Sequence, residues 1–483
     1  MQLTADSRSW ALPAGLLAIA VAVGGLSGID PRLGLAAAMS LGFVIVVMAD
    51  LAVGLCLYAL IAFLNIVPDV GGSFLSFDKV AGALLAISWL AAVASRKGAR
   101  RAFVTAHPLF AAVLVFFLAW TTLSLTWVGS FGDGIQSVTR YLLSAFLFLI
   151  VFTAIRTRRH VEWLLSAFVL ASLLSALYGL ITPPDPQGIQ GSDRLAGTLG
   201  DANALAAVLV AGVVIAFALA YEIKGKPIVR ILLVLAGALC LLCNLLTLSR
   251  GGLVALGVAL IAAVIFGGRW RAFAAVMGVL IALAVVGFFA FVATPEQTAR
   301  VTNIEQGGGS GRTDLWTVGW RMVEAHPIRG VGAGNFQSES IHYLIAPGAL
   351  HRTDLIINTQ HVAHNTYLQV LSEMGIVALV PFLLILAFSL SCLLSAARGF
   401  ASRGARGMEM ISRAVLVGLC GILAADFFVS GQFSKQLWLL LGLGPALLAM
   451  ARRPSIDRAD DSSSQGVEPP LAPSHLEPRP VTA

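Results

Sequence analysis

The stretch "HVAHN" carries His361, His364 and Asn365 immediately before a long apolar run. A neutral imidazole at such a place can take a proton from a hydroxyl, and its ordinary pKa of about 6.5 suits general-base work at neutral pH. If the following helix starts near His361, then His361, His364 and Asn365 share one face at i, i+3 and i+4, and Leu368, Leu371 and Gly375 continue the stripe. An interfacial histidine that only hydrogen-bonds has the same appearance at this level. A metal site with His342 or His351 fits poorly, because HVAHN lacks the glutamate of HExxH and Glu373 falls more than two turns away.

The second chemical group is a set of arginines. Arg140 in "SVTRYLL", Arg194 in "GSDRLAGTLGDAN", Arg250 in "LSRGG" and Arg312 in "GRTDLW" stand beside long apolar runs. An ionisable group at membrane depth costs roughly 2.5 to 3.5 kcal/mol on insertion scales, which makes function the default explanation. Guanidinium groups present planar forked donors that match phosphate oxygens, and several of them converging from separate hairpins can hold a diphosphate. The alternative is that each snorkels to lipid headgroups or pairs with Asp193, Asp201 or Asp314. Gly251 and Gly252, next to Arg250, permit a close approach of backbone.

The elements that must position these groups are membrane helices. The chain is 58% hydrophobic and 12% charged, with a mean hydropathy of +0.87; soluble domains carry roughly a quarter charged residues. Apolar windows fall near 10–29, 33–48, 50–67, 76–95, 108–127, 139–155, 160–182, 200–221, 228–248, 251–268, 272–293, 374–397, 412–430 and 434–450. The expected fold is an all-α polytopic bundle of about 12 to 14 transmembrane helices. The basic clusters "RKGARR", "RTRRH", "KGKPIVR", "RWR", "RGFASRGARG" and "RR" then all fall on one side, which the positive-inside rule makes the cytoplasm. Both termini are expected there, and the stretch 294–373 outside. Arg140, Arg194, Arg250, Arg312, Arg321 and Arg329 are exceptions on the outer side, so something outside must require them.

Residues 1–453 read as one transmembrane domain with 294–373 inserted as a large outer loop, and 454–483 as a disordered cytoplasmic tail rich in Pro, Ser and acid. Ala11 to Leu26 reads as a retained first helix, since no clear small-x-small cleavage site followed by a soluble domain appears. In the loop, Ser310 or Thr313 can cap a short helix with Asp314 in its first turn, and Leu315, Trp316, Gly319, Met322 and Val323 share a face suited to the outer interface. That helix presents Arg312 at its start and breaks at Pro327, where "GVGAGN" turns on glycines. Nucleotide binding is excluded for that GxGxG, which no strand precedes.

Two other classes fall away. All five cysteines lie in apolar runs, and Cys240 with Cys243 has neither a second pair nor a nearby histidine, so packing is their expected role. The net charge of +7 sits in short loops as a topology signal, with no nucleic-acid partner implied.

In order along the chain, "RLAGTLGDAN", "LSRGGL", "GRTDLWTVGWRMVEAHPIRGVGAGNF" and "HNTYLQVLSEMGI" resemble the O-antigen ligase and polymerase superfamily of bacterial envelope glycan assembly, over roughly residues 135–395. The resemblance implies transfer of an oligosaccharide or polysaccharide from undecaprenyl diphosphate to an acceptor hydroxyl at the periplasmic face of the inner membrane, with no cofactor and no metal. It also implies His364 as the residue that activates the acceptor and Arg194, Arg250 and Arg312 as holders of the diphosphate; Arg140 and Asn365 carry over as further members, with His361 beside them. The acceptor is a lipid A core for a ligase, a second carrier-linked glycan for a polymerase, or a protein. A transporter for the same lipid is the competing class, but it should show paired halves and polar residues near the midplane, which the sequence lacks.

Overall fold

The computed structural model describes residues 20–64 other than 22, 77–95, 103–182, 194–302 other than 224, 311–344, 350, 357 and 361–453. Among them every regular element is helical. The helices of eight or more residues, after a stretch at 23–29, are α1 Pro31–Ala49, α2 Leu51–Leu64, α3 Phe77–Ser95, α4 Pro108–Leu123, α5 Phe131–Ala154, α6 Arg158–Ile181, α7 Ala202–Glu222, α8 Pro227–Leu246, α9 Arg250–Phe266, α10 Arg271–Gly287, α11 Pro295–Thr302, α12 Arg312–Ala325, α13 Thr366–Ser402, α14 Arg406–Ala425 and α15 Lys435–Ala451.

Among the described residues eight helical segments are long and apolar enough to cross a membrane, and five shorter apolar helices accompany them. The protein is an all-α polytopic membrane protein. Each expected window from residue 33 onward coincides with one of these helices. Of the first window, 10–19 and 22 lie outside the described residues, as does the tail 454–483. The described residues up to Ala451 form one compact unit.

Local sequence sets the starts. Pro108 and Pro227 open α4 and α8 at a position that needs no N–H donor. Side chains of Ser130, Thr157, Asp201, Ser249 and Asn365 cap α5, α6, α7, α9 and α13 by accepting backbone N–H groups. Burial then ranks the helices: 78% of the apolar window of α7 is buried, against 11% of Gly268–Val292, the segment containing α10. A helix apolar on all sides yet uncovered by protein is one that lipid covers.

Contacts sort the connections into two ends. At one end Arg158, Glu222 and Gly407 meet, and nearby in the sequence the buried Glu409 takes Arg269 and Arg413 at 3.0 Å each while Arg413 also donates to the Phe266 carbonyl. The basic stretches 156–160, 225–230, 269–271 and 398–407 lie in these connections. The segments 194–201, 247–249, 294–302, 361–365 and 426–434 gather at the opposite end.

Helix α13 departs from its expected form. Gly375 interrupts it at φ 70 and ψ −174, a conformation open to glycine alone at ordinary cost, and a Cβ there would overlap the Ile328 carbonyl. The glycine loop fills the break: Ile376 N donates to Pro327 O at 3.0 Å, Val331 N to Ser372 O at 3.0 Å, and Gly332 N to Glu373 O at 2.6 Å. Gly330, Gly332 and Gly334 all have positive φ, at 67, 107 and 73. Glu373, fully buried, accepts the Gly334 N–H at 2.9 Å and the Gln369 amide at 2.9 Å. The GxGxG is thus a splice between loop and helix.

The outer-loop helix α12 also differs. Its cap is Gly311 at φ 76 with no side-chain bond, where Thr313 or Ser310 was expected; Thr313 falls inside the helix and Ser310 lies outside the described residues. Its apolar face does not lie along an interface. Leu315, Val318 and Met322 pack inward with Val331, Phe336 and Ala363, because the splice brings that partner surface to it. Gly319 lets α12 sit close on Leu368 of α13.

Candidate active site

His364 is not helical. Helix α13 begins at Thr366, with Asn365 as its cap accepting from Tyr367 N and Leu368 N at 3.0 Å each. The expectation of a helix from His361 therefore fails, since an asparagine at that point serves the backbone better as a cap than as a helical residue. His361 and His364 still meet, ring centroids 6.0 Å apart.

His364 holds φ 48, and Leu248 at φ 50 is the other non-glycine residue with positive φ among those described. Each stands immediately before a capping residue, and such a conformation costs of order 1 kcal/mol or more and persists only where its surroundings impose it. Around His364 they do. Trp316 of α12 donates to Ala363 O at 3.0 Å, Thr366 N donates to Asp426 O at 2.8 Å, and the Thr366 hydroxyl bridges Val429 O and Gly431 N at 2.9 and 2.7 Å. Nδ1 of His364 is buried with no hydrogen-bond partner among the described residues.

The arginines arrive from separate connections. Arg194 donates through Nε to Thr247 O at 3.0 Å and through Nη2 to Asn203 Oδ1 at 2.9 Å. Arg250, the first residue of α9, grips the Arg300 carbonyl through Nε and Nη2 at 3.1 and 2.6 Å. The glycines after it are required by close packing: a Cβ on Gly251 would strike Phe428 and one on Gly252 would strike Ala206. Arg312 begins α12.

These groups share one electric field. Burial pushes His364 down to about 4; the charge of Asp201 opposes that, while Arg312, His361 and Arg194 add to it. Burial lowers Arg194 to about 10, with Arg300 and Arg312 repelling it and Asp201 favouring its charge. Arg312 is lowered by burial, with Asp201 opposing and Arg250 adding to the shift. Asp201, which caps α7 through Asn203 N and Ala204 N at 2.6 and 3.1 Å, is the one carboxylate among the described residues acting on all three. Several partly buried cations beside one carboxylate make a site for an anion, and a neutral imidazole next to it can accept a proton.

Arg140 meets Phe433 in the connection between α14 and α15. It lies on α5 roughly 13 Å along the axis from Phe131, its guanidinium 5.6 Å from the Phe433 ring centre, and its charge acts on Glu373. Two members escaped sequence reading. Arg300 gave no signal because no glycine or long apolar run flanks it, and Asn203 stood inside a quoted motif without a chemical reason to single it out. Among the described residues no group of three or more His, Cys, Asp or Glu is placed to hold a metal ion.

Residues 234–383 match the family model Wzy_C, described as O-antigen ligase. The chain is also 27% identical over 353 residues to the O-antigen ligase of Pseudomonas aeruginosa, covering 71% of this chain and 78% of the relative. The matched segment runs from α8 through the break in α13, and so holds His364 together with Arg250, Arg300 and Arg312. Over these stretches the chain is similar to O-antigen ligases.

Proposed function

We propose that this protein is a glycosyltransferase that moves an oligosaccharide or polysaccharide from undecaprenyl diphosphate to an acceptor hydroxyl at the periplasmic face of the bacterial inner membrane. Similarity to O-antigen ligases over these two matches supports a glycan ligase- or polymerase-type enzyme. The observation that carries the finer reading is the strained, buried imidazole of His364 lying in the field of Arg194 and Arg312. The basic connections gathered at the opposite end of the bundle support cytoplasmic termini and a periplasmic site.

The chemistry follows from the groups present. The acceptor O–H gives its proton to His364 as its oxygen bonds to the anomeric carbon, and the anomeric C–O bond to the diphosphate breaks with its electron pair leaving on the phosphate. Arg194, Arg250 and Arg312 stabilise that departing charge, the part a metal ion plays elsewhere. A single displacement inverts the anomeric centre. An imidazole held at about 4 is a weak base in the empty site. The two negative charges of a bound diphosphate offset the arginines and raise its proton affinity, so donor binding prepares the base.

The test supplies purified protein in vesicles with carrier-linked glycan and, separately, lipid A core, a second carrier-linked glycan and protein acceptors. Growth of the first marks a ligase and growth of the second a polymerase. Retention of carrier with no acceptor growing under any condition would refute the enzyme.

A further inference from the structure

We propose that Asn203 is a positioning residue that joins Arg194 to the start of α9, so that Arg194 and Arg250 meet an anionic lipid diphosphate as one preset pair. This rests on the diphosphate reading given above. Asn203 is 5% exposed and is the second residue of α7. Its Oδ1 accepts two bonds, from Arg194 Nη2 at 2.9 Å and from the Ser249 hydroxyl at 2.8 Å. Ser249 is the cap of α9, its oxygen accepting the Gly252 N–H at 3.0 Å. Arg250 is the next residue, so the direction in which it leaves the helix is fixed by that cap.

The same oxygen therefore ties Arg194 to the segment that bears Arg250, 56 positions later in the sequence, and the turn between α8 and α9 closes the link. Arg194 Nε bonds Thr247 O at 3.0 Å, Ser249 N bonds the Thr247 hydroxyl at 3.3 Å, and Leu248 between them is held at φ 50. A buried acceptor shared by a cation and a cap hydroxyl is costly to lose, because both donors are left without it. Removing the Asn203 amide takes away the partner of Arg194 Nη2, leaving Nε on Thr247 O, and relaxes the cap beneath Arg250, and neither arginine is itself altered. A ligand that needs both must then order them at the moment of binding.

The experiment measures affinity of the full-length protein in detergent for a fluorescent short-chain polyprenyl diphosphate, with thermal melting of each variant alongside. Asn203→Ala is expected to weaken binding about tenfold. In an Arg194→Ala background, where one end of the link is already gone, the same change is expected to cost less than about threefold; such non-additivity marks groups acting through one another. Ser249→Ala, which cuts the other end, should mimic Asn203→Ala, and Ser249→Thr should restore binding. If Asn203→Ala fails to fold, Ser249→Ala and Ser249→Thr decide the matter. An additive tenfold loss in the Arg194→Ala background, or unchanged affinity in Asn203→Ala while Arg194→Ala is weakened, overturns the link and leaves the diphosphate reading standing. Unchanged affinity in Arg194→Ala itself overturns that reading, and the link with it.

Discussion

The Trp316 indole donates to the carbonyl of Ala363 at 3.0 Å, one residue before His364. The helix that bears Arg312 and the loop that bears the imidazole are therefore one mechanical piece. A shift of one strains the other, and in the proposed reaction the cation at the leaving group stays in register with the base at the acceptor.

That coupling puts His364 at the centre of the first prediction. His364→Asn, which tolerates the φ of 48 better than alanine does, should keep the fold and the carrier while lowering transfer by about 100-fold or more. Transfer assayed in vesicles with carrier-linked glycan, next to carrier retention, checks both halves.

Burial and neighbouring cations hold His364 down at about 4 in the empty site. The neutral, proton-accepting form is then present above that value, so kcat/KM should hold down to about pH 4 where an ordinary histidine would fail near 6.5. The acid limb of kcat should lie higher, because the bound diphosphate raises the imidazole. Asp201→Asn removes a charge that raises His364 and keeps a capping side chain, so its acid limb should move down; Arg194→Ala should move it up. A pH–rate series on the three proteins reads these signs.

Stability carries the same signature. Because the folded value lies below the unfolded one, the unfolded chain binds the extra proton between about 6.5 and 4, and the contribution of His364 is complete above that window and falls as pH drops through it. Melting of wild type and His364→Asn in detergent across this range should show the variant losing less on acidification.

Arg194→Ala, Arg250→Ala and Arg312→Ala should each weaken binding of a labelled polyprenyl diphosphate by about 10- to 100-fold, the range of a charged hydrogen bond. Lysine should rescue poorly, since it lacks the fork. Transfer should persist with a chelator present, because guanidinium groups supply the charge stabilisation.

Gly375→Ala combines a φ of 70 with a Cβ placed on the Ile328 carbonyl, and should cost about 2 kcal/mol or more. Gly278→Ala, whose Cβ meets only the side chain of Leu260 at ordinary distance, is the control expected to melt as wild type.

The helices were legible because apolar windows of membrane length leave the backbone no other means of satisfying its hydrogen bonds. The arginines Arg194, Arg250 and Arg312 were legible for the converse reason, as charges beside apolar runs. What was not legible depends on contacts distant in sequence. The start of α13 was misplaced because periodicity continues through His361 and His364, while the cap at Asn365 and the clasp of Thr366 by residues 426–431 decide the matter. The inward packing of α12 was hidden because its partner surface exists only once the loop 327–334 is in place. Arg300 was overlooked because it contributes a carbonyl to Arg250, and every residue has one of those.

The interruption at Gly375 has a practical meaning for exchanging parts among relatives. Backbone of 327–334 supplies the hydrogen bonds that the broken turn lacks, so the loop is no detachable cassette. A chimera that aims to transplant acceptor preference should carry residues 311–376 as a single graft. Cutting at the visible boundary of the membrane helix would sever the seam that holds both pieces in shape.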